Sequence, residues 1–122
     1  MRTDRELLGL AANAAGVDGT WHEIYGTEVG QDACGISAVA APRWGDKLWN
    51  PLTDDGDNRR LQVKLRLGLV PLEGGGWDCI AWDYDGEVSL ATDFDPNRVI
   101  VRAAADIAVR THPDHKDGGA NE

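Results

Sequence analysis

The chain has few basic residues and no long apolar run. With 12 Lys and Arg against 21 Asp and Glu, its formal net charge at pH 7 is −9. No basic stripe is available to release counterions from a phosphate backbone, which excludes direct nucleic-acid binding and favours a basic protein partner. No run approaches the roughly 20 apolar residues of a membrane span, and residues 1–16 lack the apolar segment of a signal peptide. We therefore expect a cytoplasmic protein with no membrane contact.

Cysteine is also scarce, because Cys34 and Cys79 are the only two in the sequence. Two cysteines in a reducing cytoplasm predict reduced thiols rather than a disulfide framework. Neither serine nor cysteine stands in a nucleophile motif, and the glycine run at 74–76 lacks the Lys-Ser/Thr of a phosphate-binding loop. The sequence therefore predicts no catalytic residue, no cofactor and no metal.

The length and the composition of the chain suit one small folded domain. Its 122 residues include 42% hydrophobic side chains and five tryptophans, which is a globular composition. We expect a single domain over residues 1–111. Residues 112–122 have nothing to bury and are expected to be disordered.

Two helices are predicted from their ends. Thr3 and Glu6 have the spacing of a capping box, and Gly16 follows a helical apolar pattern as a left-handed stop. Near the C-terminus, Asp95 is the predicted cap of a helix with Pro96 at its first position.

The segment 61–69 allows two interpretations. Its Leu and Val residues alternate with polar residues, which is typical of a strand. However, a run of aspartates precedes it and Leu61 and Leu65 lie one helical turn apart. We predict a helix over 57–66, with Asp54 and Asp57 as its capping residues.

Turn signals predict a hairpin after that helix. A strand over 67–72, a glycine turn at 74–76 and a second strand over 77–84 come first. The Asp-Gly pair at 85–86 is a second turn signal, and 87–91 is a possible third strand.

A further strand is predicted over 20–26, and residues 26–48 are predicted as a long loop with one brief strand at 36–40. The order is then α-β-loop-α-β-β-(β)-α. Hairpin-rich strands with amphipathic helices favour an α+β fold, in which a small antiparallel sheet packs with three helices as an α/β/α sandwich, over a doubly wound parallel sheet.

The clustered carboxylates of Asp54, Asp55 and Asp57 raise the alternative of a divalent-cation site. As an enzyme, such a site would use Glu23 or His22 as well. The spacing fails the calcium-loop pattern, because the glycine comes too early and no glutamate stands at the twelfth position. Capping of a helix is the favoured interpretation.

The best candidates for partner binding are tryptophans and a run of acidic residues. Tryptophan serves both in cores and as an interface anchor, and Trp77 and Trp82 must lie on opposite faces of a regular strand. Residues 78–95 contain six acidic residues and no Lys or Arg, so they could imitate nucleic-acid phosphate toward a basic partner. The partner-binding candidates are Trp49, Trp77, Asp78, Trp82, Asp83, Asp85 and Glu87.

The stretch WNPLTDDGD at 49–57, followed by LQVKLRL and later RVIVRAAADIAVR, resembles the phage ABA sandwich domain, a family of small phage and prophage proteins. The resemblance covers the first helix and residues 49–110. It implies an α/β/α sandwich and a phage origin, and it assigns no activity and no catalytic residue.

Together these points predict a non-enzymatic phage accessory protein that binds a host or phage protein, for example to inhibit a bacterial defence system. A role in virion structure or assembly is the first alternative. The metal-dependent enzyme that uses the aspartates is the second.

Overall fold

The computed structural model describes residues 2–25, 32–43 and 45–111. The elements in these ranges are α1 (Asp4–Ala15), β1 (Thr20–Tyr25), β2 (Asp32–Ser37), α2 (Asp55–Leu65), β3 (Gly68–Pro71), β4 (Trp77–Asp83), β5 (Gly86–Asp93) and α3 (Pro96–Thr111). The predicted α+β class is confirmed, since the three helices described pack against small antiparallel sheets. The described strands form two sheets rather than one, with orders β1-β2 and β3-β4-β5.

The first helix begins and ends as its sequence predicts. The hydroxyl of Thr3 accepts from the Glu6 backbone N–H, and the Glu6 carboxylate accepts from the Thr3 N–H at 2.7 Å. Gly16 has a φ of 72° and donates its N–H back to the last turn. Helix α1 buries Leu8, Ala11 and their neighbours against the core.

Helix α2 confirms the helical interpretation of the alternating segment. Leu61 is buried, whereas Val63 points away from the core and is 67% exposed. The helix begins two residues earlier than predicted, because Asp54 is its N-cap. Asp57 lies at the third helical position, so its predicted capping role is wrong.

Strand β2 lies earlier in the chain than the brief strand predicted at 36–40. It pairs antiparallel with β1 in the register Thr20↔Ser37, and the chain bends away after Ser37. Ile36 also forms a bridge with Trp49, with two backbone hydrogen bonds of 2.9 Å. A Cβ on Gly35 would lie 2.5 Å from the Trp49 carbonyl oxygen, so only glycine permits this approach.

The three-stranded sheet has one face toward the core. Trp77, Cys79 and Ala81 alternate along β4 and pack with the core cluster, whereas Trp82 lies on the other face. The predicted separation of Trp77 from Trp82 is therefore confirmed. Cys79 pairs with Ala91 and Ile80 with Ser89, so Leu90 is an extra residue in β5 and forms a bulge.

Helix α3 holds the core together. It packs against α1, α2, β4 and β5. Val99, Ile100 and Val101 are completely buried in its first half. Cys79 of β4 is also completely buried, and burial, with a smaller contribution from the charge of Asp78, raises the pKa of its thiol to about 12.

Neither Cys34 nor Cys79 forms a disulfide in the structure. None of the helices in the described ranges is long and apolar enough to cross a lipid bilayer. The predicted disorder of residues 112–122 lies outside the described residues, as does the loop segment 26–31.

Candidate functional site

The stretch 49–58 forms a network of buried hydrogen bonds that centres on Asn50. Its backbone N–H donates to Asp57 Oδ2 at 3.0 Å, and its side-chain amide donates to the Cys34 carbonyl at 2.8 Å. The Asn50 side-chain oxygen accepts from the Leu52 N–H at 3.0 Å. One buried residue therefore joins β2, the loop before α2 and α2 itself.

A second asparagine extends this network to α3. The Asn58 amide donates to the Pro51 carbonyl at 2.9 Å and to the Asn97 carbonyl at 3.0 Å. Asn97 in turn donates its amide to Asp55 Oδ1 at 2.9 Å. Each of these polar groups has a partner, which is what a structural network requires.

Each of the three aspartates has partners within the fold. Lys47 lies 3.2 Å from Asp54 Oδ2 and 3.7 Å from Asp57 Oδ1, whereas Asp55 bonds a different residue. Asp54 accepts from the Asp57 N–H and from Lys47, and Asp55 accepts from Asn97. Asp57 is only 3% exposed and pairs with Arg60 at 2.8 Å besides its bond to Asn50. Among the residues that the structure describes, no group of three or more His, Cys, Asp or Glu side chains is arranged to hold a metal ion.

The other residues of the enzyme alternative lie on β1 and have local partners. His22 Nε2 lies 3.3 Å from the hydroxyl of Thr20. Glu23 accepts from the phenol of Tyr25 and from the indole of Trp21, and these bonds lower the pKa of its carboxyl.

The cap at Asp54 predicts a pH dependence of the stability of the fold. The Asp57 N–H, and then Lys47, lower the pKa of the Asp54 carboxyl from its ordinary value of 3.8. A carboxyl whose pKa is lower in the folded state stabilises the fold above its unfolded pKa, and this contribution is lost as the pH falls through the folded pKa. We expect the difference in unfolding free energy between the wild type and Asp54→Asn to be constant above about pH 5 and to shrink below it.

Urea denaturation at pH 6, 4 and 3 measures this difference. Asp85→Asn is the matched control, because it removes an exposed carboxylate that has no ion pair in the described part of the chain. A difference between wild type and Asp54→Asn that stays unchanged down to pH 3 would contradict the charged cap.

The β4–β5 hairpin exposes aromatic and acidic side chains. Trp82 is 61% exposed and Tyr84 is fully exposed. Asp83, Asp85 and Glu87 are exposed beside them. We call these five residues, Trp82, Asp83, Tyr84, Asp85 and Glu87, the hairpin surface.

The rest of the acidic run 78–95 is used within the fold. Asp93 pairs with Arg102 at 3.2 Å, and Asp95 accepts from the Asn97 N–H at 2.9 Å at the start of α3, as its predicted capping role requires. Asp78 accepts from the Ser89 hydroxyl at 2.5 Å and is half-buried. The acidic run is therefore not one continuous stripe. Its exposed residues are Asp83, Asp85 and Glu87 on the hairpin surface and Asp95 at the start of α3.

The structure places the tryptophan candidates in two environments, half-buried and exposed. Trp49 and Trp77 are half-buried and pack against the core cluster, so most of their surface serves the fold. Sequence reasoning named Trp82 and missed Tyr84, although Tyr84 stands directly before the Asp-Gly turn, where a side chain has no sheet to cover it. It also missed Val70, which is exposed on the edge strand β3.

No protein-family model matches the chain, and no curated protein or solved structure matches it either. The resemblance of residues 49–57 to the phage ABA sandwich domain thus stays a prediction. The buried network gives that motif a structural role in this chain, because its Asn50, Asp54 and Asp57 bond to backbone and side chains of the fold itself.

Proposed function

We propose that this chain is a phage-encoded accessory protein without catalytic activity, which binds a basic protein of the host or the phage through the hairpin surface. Inhibition of a bacterial defence system is the form of this function that we favour. The phage origin rests on the resemblance of the motif at 49–57.

One observation carries the proposal. Two large aromatic side chains, Trp82 and Tyr84, are exposed at one hairpin together with three acidic side chains. Aromatic residues are enriched among the residues that dominate binding energy, and a complementary charge steers a partner and selects it. The net charge of −9 adds a long-range attraction for basic proteins and weakens as salt rises.

The test is affinity capture from host lysate with the tagged protein, at low and moderate salt, with mass spectrometry of the bound proteins. We expect a basic protein that is retained by the wild type and lost from a Trp82→Ala/Tyr84→Ala variant, with at least about a 30-fold loss of affinity once the partner is purified. Phe94→Ala is the matched control, because Phe94 is also exposed but follows the opposite end of β5.

Two results would contradict the proposal. One is capture of the same proteins by the wild type and the double variant. The other is an empty capture together with concentration-dependent self-association in sedimentation, which would favour the role in virion assembly.

A further inference from the structure

Trp82 and Glu87 form a pair on the face of the sheet that points away from the core. They are direct cross-strand partners in the β4–β5 register, so their Cβ atoms lie about 5 Å apart. Both side chains are exposed. Within the described ranges, no basic side chain forms an ion pair with Glu87. An exposed indole and an exposed carboxylate therefore begin at neighbouring positions of β4 and β5.

The indole of Trp82 extends over a glycine on the neighbouring strand β3. A Cβ added to Gly68 would lie 3.0 Å from Trp82 Cη2 and 2.9 Å from Ile80 Cγ1. The far edge of the indole thus rests over the backbone of Gly68 and beside Ile80, which is itself 5% exposed. A ring that is already positioned loses little conformational freedom when a ligand stacks on it.

A second carboxylate lies on the same face. Asp78 precedes Trp82 by four residues on β4, a distance of about 13 Å along a strand. The Ser89 hydroxyl donates to Asp78 Oδ1 and fixes the orientation of this carboxylate. Val70, the register partner of Asp78 on β3, is 40% exposed and adds an apolar contact beside it.

We propose that this face binds an extended segment of the partner with two arginines four residues apart and an apolar residue between them. One guanidinium stacks on Trp82 and bonds Glu87, the apolar residue contacts Val70, and the second guanidinium bonds Asp78. This assignment rests on the proposed function and specifies the chemistry of its partner.

The geometry selects both the residue type and the conformation of the ligand. A planar guanidinium can stack on an indole and donate two parallel bonds to a carboxylate, which a lysine ammonium cannot do. Residues four apart span about 13 Å when extended but only about 6 Å in a helix. The distance of about 13 Å between Asp78 and Trp82 along β4 therefore fits an extended segment.

The test uses synthetic peptides and amide NMR spectra of the intact protein. The probe is a blocked peptide that contains Arg-Ser-Val-Ser-Arg. The comparison peptides have lysine in place of arginine, or the two arginines three residues apart. We expect shifts at the Trp82 indole, and affinity about fivefold weaker for either comparison peptide.

Two isosteric variants separate the site from general charge attraction. Glu87→Gln and Glu73→Gln each remove one exposed negative charge, but Glu87 is the cross-strand partner of Trp82, whereas Glu73 lies between β3 and β4, outside the hairpin surface. We expect Glu87→Gln to weaken binding about fivefold and Glu73→Gln less than twofold. Trp82→Leu should also weaken binding about fivefold, whereas Trp82→Tyr should retain most of it because it keeps an aromatic face.

Equal effects of Glu87→Gln and Glu73→Gln, equal affinity for the two arginine spacings, or no shift at the Trp82 indole would each overturn the assignment. These failures are distinguishable from failure of the proposed function. If a basic protein is still captured through Trp82 and Tyr84, only the arginine assignment falls. If the peptide binds as expected but no partner is captured, the binding chemistry stands and the proposed function falls.

Discussion

Asp57→Ala is expected to lower the unfolding free energy by about 3 kcal/mol. The carboxylate of Asp57 is buried and accepts from the Asn50 N–H, so alanine would leave that N–H buried without an acceptor. Arg60 and Lys47 also lose a partner, but their side chains are mostly exposed, and these ion pairs contribute little. Most of the loss therefore comes from the Asn50 bond. Chemical denaturation with circular dichroism at pH 7 measures it.

The neighbouring aspartate is the matched control for this result. Asp55→Ala removes an exposed carboxylate whose partner, the Asn97 amide, is also exposed at that bond. We expect a loss below about 1 kcal/mol. Asp57→Asn should fall between the two, because it keeps one oxygen as an acceptor and loses the charge. If Asp57→Ala costs no more than Asp55→Ala, Asp57 is not the centre of the network.

Asp57→Asn also tests the alternative of a metal site at the aspartates. If the aspartates only support the fold, adding magnesium, calcium or manganese should leave the thermal midpoint of the wild type unchanged. A midpoint that rises with one of these cations in the wild type, but not in Asp57→Asn, would restore the metal interpretation.

Ile100→Ala should cost about 3 kcal/mol of unfolding free energy. Ile100 is completely buried on α3, the helix that packs against α1, α2, β4 and β5. A cavity at this position is enclosed by several elements, so little collapse can fill it. Ile100→Val should cost about 1 kcal/mol, since it removes a single methylene group.

Ile107 provides the comparison on the same helix. It is only partly buried against the core, so Ile107→Ala should cost about 1 kcal/mol. Equal losses at positions 100 and 107 in the same denaturation series would contradict the expectation that Ile100 is the more tightly enclosed of the two.

The parts of the fold that sequence predicts correctly are those with local causes. The capping box of Thr3, the left-handed Gly16 and the Pro96 start of α3 each depend on residues within one helical turn. The same holds for the hairpins at 74–76 and 85–86, whose turns are set by glycine. Local chemistry of this kind is readable from a single sequence.

The parts that sequence misses depend on contacts between distant residues. Aspartate is a residue type that often caps helices. The residues next to Asp57 do not show that its carboxylate accepts from the N–H of Asn50, seven residues away. Likewise, β2 is placed by its bridge to Trp49 and by its pairing with β1 rather than by its own apolar pattern. The division into two sheets follows from these pairings.

The candidate site was predictable only in part. The acidic run and Trp82 were found, because a regular strand must place Trp77 and Trp82 on opposite faces. The sequence does not show which partners Asp78, Asp93 and Asp95 have within the fold. Ser89, Arg102 and the start of α3 approach these residues only in the folded chain.

The reactivity of the buried Cys79 thiol reports local opening of the fold. A thiol reacts with alkylating reagents as its thiolate, and a pKa of about 12 leaves almost none at neutral pH while β4 is covered. Labelling is therefore expected only in molecules in which the core has opened, because the thiol has its ordinary reactivity there. The rate at which Cys79 is labelled thus reports how often the contact between β4 and α3 opens, without any denaturant.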